Sequence, residues 1–167
     1  MLTPDQRISL AALYAQRSQM QPLGMRPAAR LQRRAQASQV FQLERVACNV
    51  YYLIPQAPQT QPVPVPHGRF LFVVLSLDPG RVYCAVAPGN DVLRATRRDL
   101  AIRGHTSLTR GADVFFAGEL VFLHGELLYW SNDSGHYRPP ENARHFNLVG
   151  AVQRLLPESK FRANEFG

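Results

Sequence analysis

The chain has 167 residues, of which 46% are hydrophobic and 19% are charged, and its formal net charge is +7. This composition suits one globular domain with a core and excludes a fibrous or low-complexity chain. No stretch reaches the roughly 18 to 20 apolar residues that a membrane span needs, and the N-terminus lacks a basic segment followed by an apolar one. We therefore expect no membrane span and no classical signal peptide.

The positive charge is concentrated near the N-terminus. Residues 1–45 carry seven arginines against two acidic residues, so their net charge is +5, whereas residues 46–167 carry only +2. We interpret residues 1–45 as a basic helical leader or arm and residues 46–167 as a single domain. Nucleic acid is not an expected partner, because exposed arginines usually serve to solvate a surface. Binding of nucleic acid through residues 26–45 remains the weaker alternative.

Within the leader, the Thr3-Pro4-Asp5 sequence is a helix-start signal and predicts a first helix that ends near Gln19. Three helix breakers follow, at Pro22, Gly24 and Pro27. The next segment, AARLQRRAQAS, is compatible with a second short basic helix. Its apolar face is thin, so we expect the leader to pack weakly, as an arm, a delivery segment or a partner-binding helix pair.

The domain begins with a strand pattern. Hydrophobic residues alternate from Val46 to Ile54 and predict a strand with one buried face. A proline-rich loop over residues 55–68 follows. Two hairpins are then expected, over residues 69–87 and 113–131, the second with a two-residue turn that would place Glu119 opposite Trp130.

A C-terminal helix is predicted from Pro139-Pro140-Glu141 to Leu156, because apolar residues recur at helical spacing before Pro157. The expected fold class is therefore α+β. We expect a mostly antiparallel twisted sheet of five or six strands that follows an N-terminal helical leader and has a C-terminal helix packed on it.

Polar residues that packing does not explain fall into three segments. These are the HTSL segment (residues 104–108), the AGEL segment (117–120) and the SGHYRP segment (131–139). A purely structural interpretation is open for each: loops that bond their own backbone, and a glutamate on a strand that faces water.

In this order and at this separation, the three segments resemble a domain of bacterial toxin and effector proteins that is shared with the C-terminal part of plant IQ-motif calmodulin-binding proteins. The resemblance covers roughly residues 69–150. It implies a target-cell protein as partner, with a delivery apparatus or a cognate immunity protein as further partners. It also implies residence in the bacterial cytoplasm before injection into a target cell. The plant members carry Arg where this chain has Glu119, which keeps open a non-catalytic protein-interaction module of the same fold.

For an enzyme, the available residue types match mono-ADP-ribosyl transfer from NAD. Cleavage of the nicotinamide bond builds positive charge on the ribose, which a fixed carboxylate stabilises, and Glu119 is the candidate. His105 and Ser107 would hold the ribose hydroxyls, and His136 would orient a neighbouring group. Tyr137 would stack on nicotinamide and Arg138 would pair with the pyrophosphate.

A second enzyme hypothesis is a thiol-dependent hydrolase that uses Cys48 or Cys84 with His105 or His136. It is weaker, because both cysteines lie in apolar strand-like segments, where the thiol pKa rises. The cysteines show no metal-ligand spacing, so we expect no metal site.

Overall fold

A computed structural model describes residues 1–164 of the chain. It contains five helices and seven strands, with short 3₁₀ turns between some of them. The helices are α1 (Pro4–Gln19), α2 (Asp91–Thr96), α3 (His105–Thr109), α4 (Ala143–Phe146) and α5 (Gly150–Leu155). The strands are β1 (Phe41–Ala47), β2 (Val50–Pro55), β3 (Gly68–Leu75), β4 (Tyr83–Val86), β5 (Val114–Leu123), β6 (Glu126–Ser131) and β7 (Phe161–Arg162).

The sheet closes into a six-stranded antiparallel barrel. Its strands follow the order β2-β1-β4-β3-β5-β6, and β6 pairs back to β2 where Val50 lies opposite Glu126. The short strand β7 adds to β6 in parallel. The prediction of an open α+β sheet covered by helices is therefore wrong. Sequence patterns define strands and turns, whereas closure depends on one pairing between strands more than 70 positions apart.

The predicted strand over residues 46–54 is in fact a hairpin. Strand β1 starts at Phe41, and the chain reverses at Cys48, whose φ of 34° is left-handed. Phe41, Leu43, Tyr51 and Leu53 therefore fill the barrel. The alternating residues that suggested a buried face lie outside, and Val46 is 67% exposed. Hydrophobic residues do alternate along this segment. Because the chain reverses at residue 48, however, the buried face is formed by the other set of alternating residues.

The two later hairpins are confirmed as β3–β4 and β5–β6. The second uses the expected two-residue turn, since His124 and Gly125 both have positive φ and Leu123 lies opposite Glu126. Its register differs from the prediction, because Trp130 lies opposite Leu120 and not opposite Glu119. An irregularity in the pairing between Val121 and Phe122 produces the shift and turns Trp130 into the core.

The predicted C-terminal helix is also wrong, because the segment forms two short helices, α4 and α5. Between them Asn147 is fully buried, and its side-chain amide donates to the carbonyl oxygens of Gln21 (2.8 Å) and Phe115 (3.0 Å). The Asn147 side-chain oxygen accepts from the Gln21 N–H at 2.7 Å. These bonds hold residue 147 against the backbone of Gln21 and Phe115. One regular helix through this segment would not keep the Asn147 side chain in that position.

The first helix is confirmed as α1, with a capping box in which Thr3 and Gln6 bond each other's backbone. The second basic helix is not present. Instead, residues 20–40, called the strap below, run along the barrel as irregular backbone that ends in a short 3₁₀ helix at Ala37–Gln39. Backbone bonds hold the strap: Leu23 exchanges two with Val114, and Ala35 donates to the Ser107 carbonyl at 3.0 Å.

Candidate functional site

The HTSL, AGEL and SGHYRP segments are held together by two side-chain contacts from α3. At its start, His105 Nε2 lies 2.8 Å from the Gly118 carbonyl oxygen in the AGEL segment. At its end, the Thr109 hydroxyl lies 2.6 Å from the Tyr137 hydroxyl in the SGHYRP segment. The three segments are thus one structural cluster on the outer surface of β5 and its neighbours.

Gly118 allows the SGHYRP segment to approach the barrel. A Cβ at this position would lie 1.8 Å from the Ser131 carbonyl oxygen, which is less than the separation of any non-bonded pair. Only glycine lets the end of β6 cross β5 this closely. Packing therefore requires glycine at position 118. The close contact between β6 and β5 at this point also fixes the position of the next residue, Glu119.

Glu119 faces outward from β5 and forms an ion pair with Arg69 on β3. The two residues are diagonal neighbours, since Leu71 lies opposite Glu119 and Arg69 lies opposite Val121. The Glu119 side chain is only 13% exposed. Burial raises the pKa of Glu119, and the Arg69 guanidinium opposes that rise. The Glu119 carboxylate is therefore largely shielded from water and lies beside the Arg69 guanidinium.

Asp133 and His136 complete a charged cluster. The Asp133 carboxylate also raises the pKa of Glu119, and it acts on Arg69 as well. Burial lowers the pKa of His105 to about 4, and the charges of His136 and Asp133 act on it too. The structure therefore brings His105 within electrostatic range of His136, and Asp133 acts on both His105 and Glu119.

The imidazole of His105 is buried and bonded to backbone, so it remains neutral at physiological pH. Its contact with the Gly118 carbonyl holds the strand that carries Glu119. His105 therefore acts on Glu119 through the backbone.

Two of the predicted cofactor-binding residues, Ser107 and Tyr137, are buried. Ser107 is two positions beyond His105 in α3, so the two side chains point in different directions. Tyr137 is 4% exposed, its ring packs with Val73 and Ala117, and its hydroxyl also lies 2.7 Å from the Ala112 carbonyl oxygen. Tyr137 therefore has no exposed ring face on which a nicotinamide could stack, contrary to the prediction from sequence.

The third, Arg138, is exposed and has a φ of 44°. Its backbone N–H donates to the Ser134 carbonyl oxygen at 2.7 Å. The residue closes a tight turn that keeps its neighbour Tyr137 inside.

The cysteines do not form a nucleophilic pair with these histidines. Cys84 is fully buried inside the barrel, where burial strongly raises the pKa of its thiol. Cys48 is exposed at the β1–β2 turn. The geometry gives no support to thiol-dependent hydrolysis.

Within residues 1–164, no three His, Cys, Asp or Glu side chains are grouped as a metal ion would require. In the same part of the chain, no helix is both long and apolar enough to cross a membrane.

Sequence reasoning missed Arg69 and Thr109. Arg69 opens an apolar run and looked like a strand boundary, and only the β3–β5 register places it beside Glu119. Thr109 gave no signal, because its role depends on the distant Tyr137.

Comparisons with protein-family models, with curated proteins and with solved structures found no match to this chain.

Proposed function

We propose that the chain is a toxin-type effector domain that is injected into target cells and transfers ADP-ribose from NAD to a protein, with Glu119 as its functional carboxylate. One observation supports this proposal above the others: three segments distant in sequence are bonded into one cluster that presents Glu119 beside Arg69. The resemblance of these segments to toxin and effector domains points the same way.

The chemistry assigned to Glu119 is electrostatic. As the bond between the ribose and nicotinamide breaks, its electron pair leaves with nicotinamide and positive charge develops on the ribose. An ionised carboxylate stabilises that charge, and a partly dry site strengthens the effect. The target side chain then attacks the ribose carbon and releases a proton.

In this proposal Arg69 is a positioning residue. Its guanidinium favours the ionised form of Glu119 against the desolvation that raises the pKa of this carboxyl. His105 is a second positioning residue, through its contact with Gly118. Arg138 and His136 are exposed or half-buried, and both remain candidates for contact with NAD.

The experiment compares Glu119→Gln with the matched variant Glu126→Gln, which changes an exposed glutamate on the neighbouring strand β6. Each full-length protein is incubated with biotin-labelled NAD and a target-cell lysate, and is also expressed in bacterial and yeast cells. We expect wild type and Glu126→Gln to label protein and slow growth, and Glu119→Gln to do neither. Labelling that survives Glu119→Gln, or no labelling by wild type, contradicts the proposal.

A second candidate is a non-catalytic interaction module, which α1 favours. This helix has no buried residues, although Ile8, Leu13 and Tyr14 are 58% to 77% exposed. Exposed apolar side chains of this kind are typical of partner-binding surfaces. If this candidate is right, Leu13→Ser with Tyr14→Ser abolishes toxicity while Glu119→Gln leaves it unchanged.

A further inference from the structure

A groove runs along the segment between β4 and α3. It is made of two cavities, of about 850 Å³ and about 320 Å³. Both cavities have Ala101, Ile102 and Arg103 in their walls, so they adjoin each other. The larger cavity is lined by residues of α2 and the smaller one by residues of the strap. The fold therefore places α2 and the strap along one shared depression.

Arginines line this depression, which is called the arginine groove below. Two of them belong to the strap and three to the segment between β4 and α3, and all are exposed. They are Arg33, Arg34, Arg94, Arg98 and Arg103. None of them forms an ion pair within residues 1–164. Each guanidinium is therefore available to an external anion.

The acidic residues of the groove do not balance these arginines. Among the described residues, the lining contains the carboxylates of Asp91 and Asp99. Asp99 is already paired with Arg97, whose guanidinium nitrogens lie 3.1 Å and 3.0 Å from the two carboxylate oxygens. Of the lining carboxylates, only Asp91 remains to oppose five cations. A concave surface with this excess of one charge attracts a polyanion.

The lining favours a chain of phosphates over other polyanions. The arginines are spread along two cavities, which suits repeating charges more than a single anion. Guanidinium groups also bind phosphate oxygens through paired hydrogen bonds. The exposed apolar residues of the lining are Pro88 and Ala95. Such small side chains supply neither the apolar core of a protein interface nor the large side chains that enter a membrane surface.

We propose that the arginine groove binds a single strand of nucleic acid through its phosphates. A single strand is flexible enough to follow the groove, whereas a duplex is stiff. No aromatic side chain lines the groove within the described residues, so little sequence preference is expected. The sequence does not predict this partner, because residues 33–34 and 94–103 are distant in the chain and only the fold brings them to one groove. Glu119 and Arg69 lie outside the lining, so the binding does not depend on a reaction at Glu119.

The test measures binding of a fluorescent oligothymidine of about 20 nucleotides to the full-length protein by fluorescence anisotropy. Saturable binding is expected. If all five arginines contact phosphates, the affinity should fall about 100-fold between 50 mM and 200 mM salt. Oligoadenosine of the same length should bind within about threefold of oligothymidine, and a duplex of that length should bind more weakly.

The variant Arg98→Gln with Arg103→Gln removes two of the five cations. It should weaken oligothymidine binding about 20-fold at 0.1 M salt, and it should make the affinity less sensitive to salt. The matched control is Arg7→Gln with Arg154→Gln, which removes the same charge from exposed positions outside the groove. The control should weaken binding less than about threefold. Thermal melts verify that both variants are folded, which is expected because all four arginines are exposed.

Any of four results would overturn the proposal. The first is no saturable binding of oligothymidine at 50 mM salt, and the second is equal weakening by the groove variant and its control. The third is tighter binding of the duplex than of the single strand. The fourth is binding of polyglutamate or of phosphatidylserine vesicles as tightly as oligothymidine, which would make the groove a site for an acidic protein or for a membrane surface.

Discussion

The buried His105 makes the stability of the protein depend on pH in a predictable way. Burial lowers its pKa from 6.5 to about 4. The unfolded chain therefore takes up a proton on this residue at a higher pH than the folded protein does. Stability linked to His105 is fully present above pH 6.5 and is lost as the pH falls toward the folded pKa.

The magnitude follows from the two pKa values. With 6.5 for the unfolded chain and about 4 for the fold, the free energy of unfolding falls by about 0.8 kcal/mol at pH 6, about 2 kcal/mol at pH 5 and about 3 kcal/mol at pH 4, relative to neutral pH. Glu119 works in the opposite direction, because its raised pKa favours the fold at low pH. The contribution of His105 must therefore be isolated by comparison with a variant.

The assay is urea-induced unfolding at intervals from pH 7.5 to pH 4.5, for wild type, His105→Gln and the surface control His145→Gln. The variant His105→Gln should be less stable at pH 7.5, and the difference from wild type should shrink by about 2 kcal/mol by pH 5. His145→Gln, at an exposed position, should follow the wild-type curve. NMR of the wild-type imidazoles gives an independent measurement, in which the His105 imidazole stays neutral down to about pH 4.

Parallel curves for wild type and His105→Gln would refute this reasoning. So would an NMR titration of His105 near its ordinary pKa, since either result means that the residue is not buried against Gly118.

Three further predictions follow from the packing. Gly118→Ala should cost about 3 kcal/mol or more in unfolding free energy, because its Cβ would meet a backbone oxygen. Gly135→Ala, which adds a Cβ with no atom within 4 Å, should cost little in the same urea titration. Asn147→Ala should release the N-terminal segment and hasten its cleavage in limited proteolysis; unchanged cleavage would contradict the assigned role. A thiol reagent should modify Cys48 rapidly and Cys84 only on unfolding, and equal rates would refute the burial of Cys84.

Much of the local structure could be predicted from sequence because its signals are local. Apolar runs separated by turn residues determine the hairpins β3–β4 and β5–β6, and a cap residue before a proline marks the start of α1. The three polar segments were also found from sequence, since small polar residues beside glycine in the SGHYRP segment resist a simple packing explanation.

Tertiary structure alone decided the rest. Closure of the barrel depends on the pairing of Val50 with Glu126, and at Leu23 and Ala35 the strap is held by backbone bonds that do not depend on side-chain type. The same holds for the site: Arg69 reaches Glu119 only through the β3–β5 register. Contacts between residues far apart in the chain leave no periodic pattern in the sequence, because each depends on how the whole chain is folded.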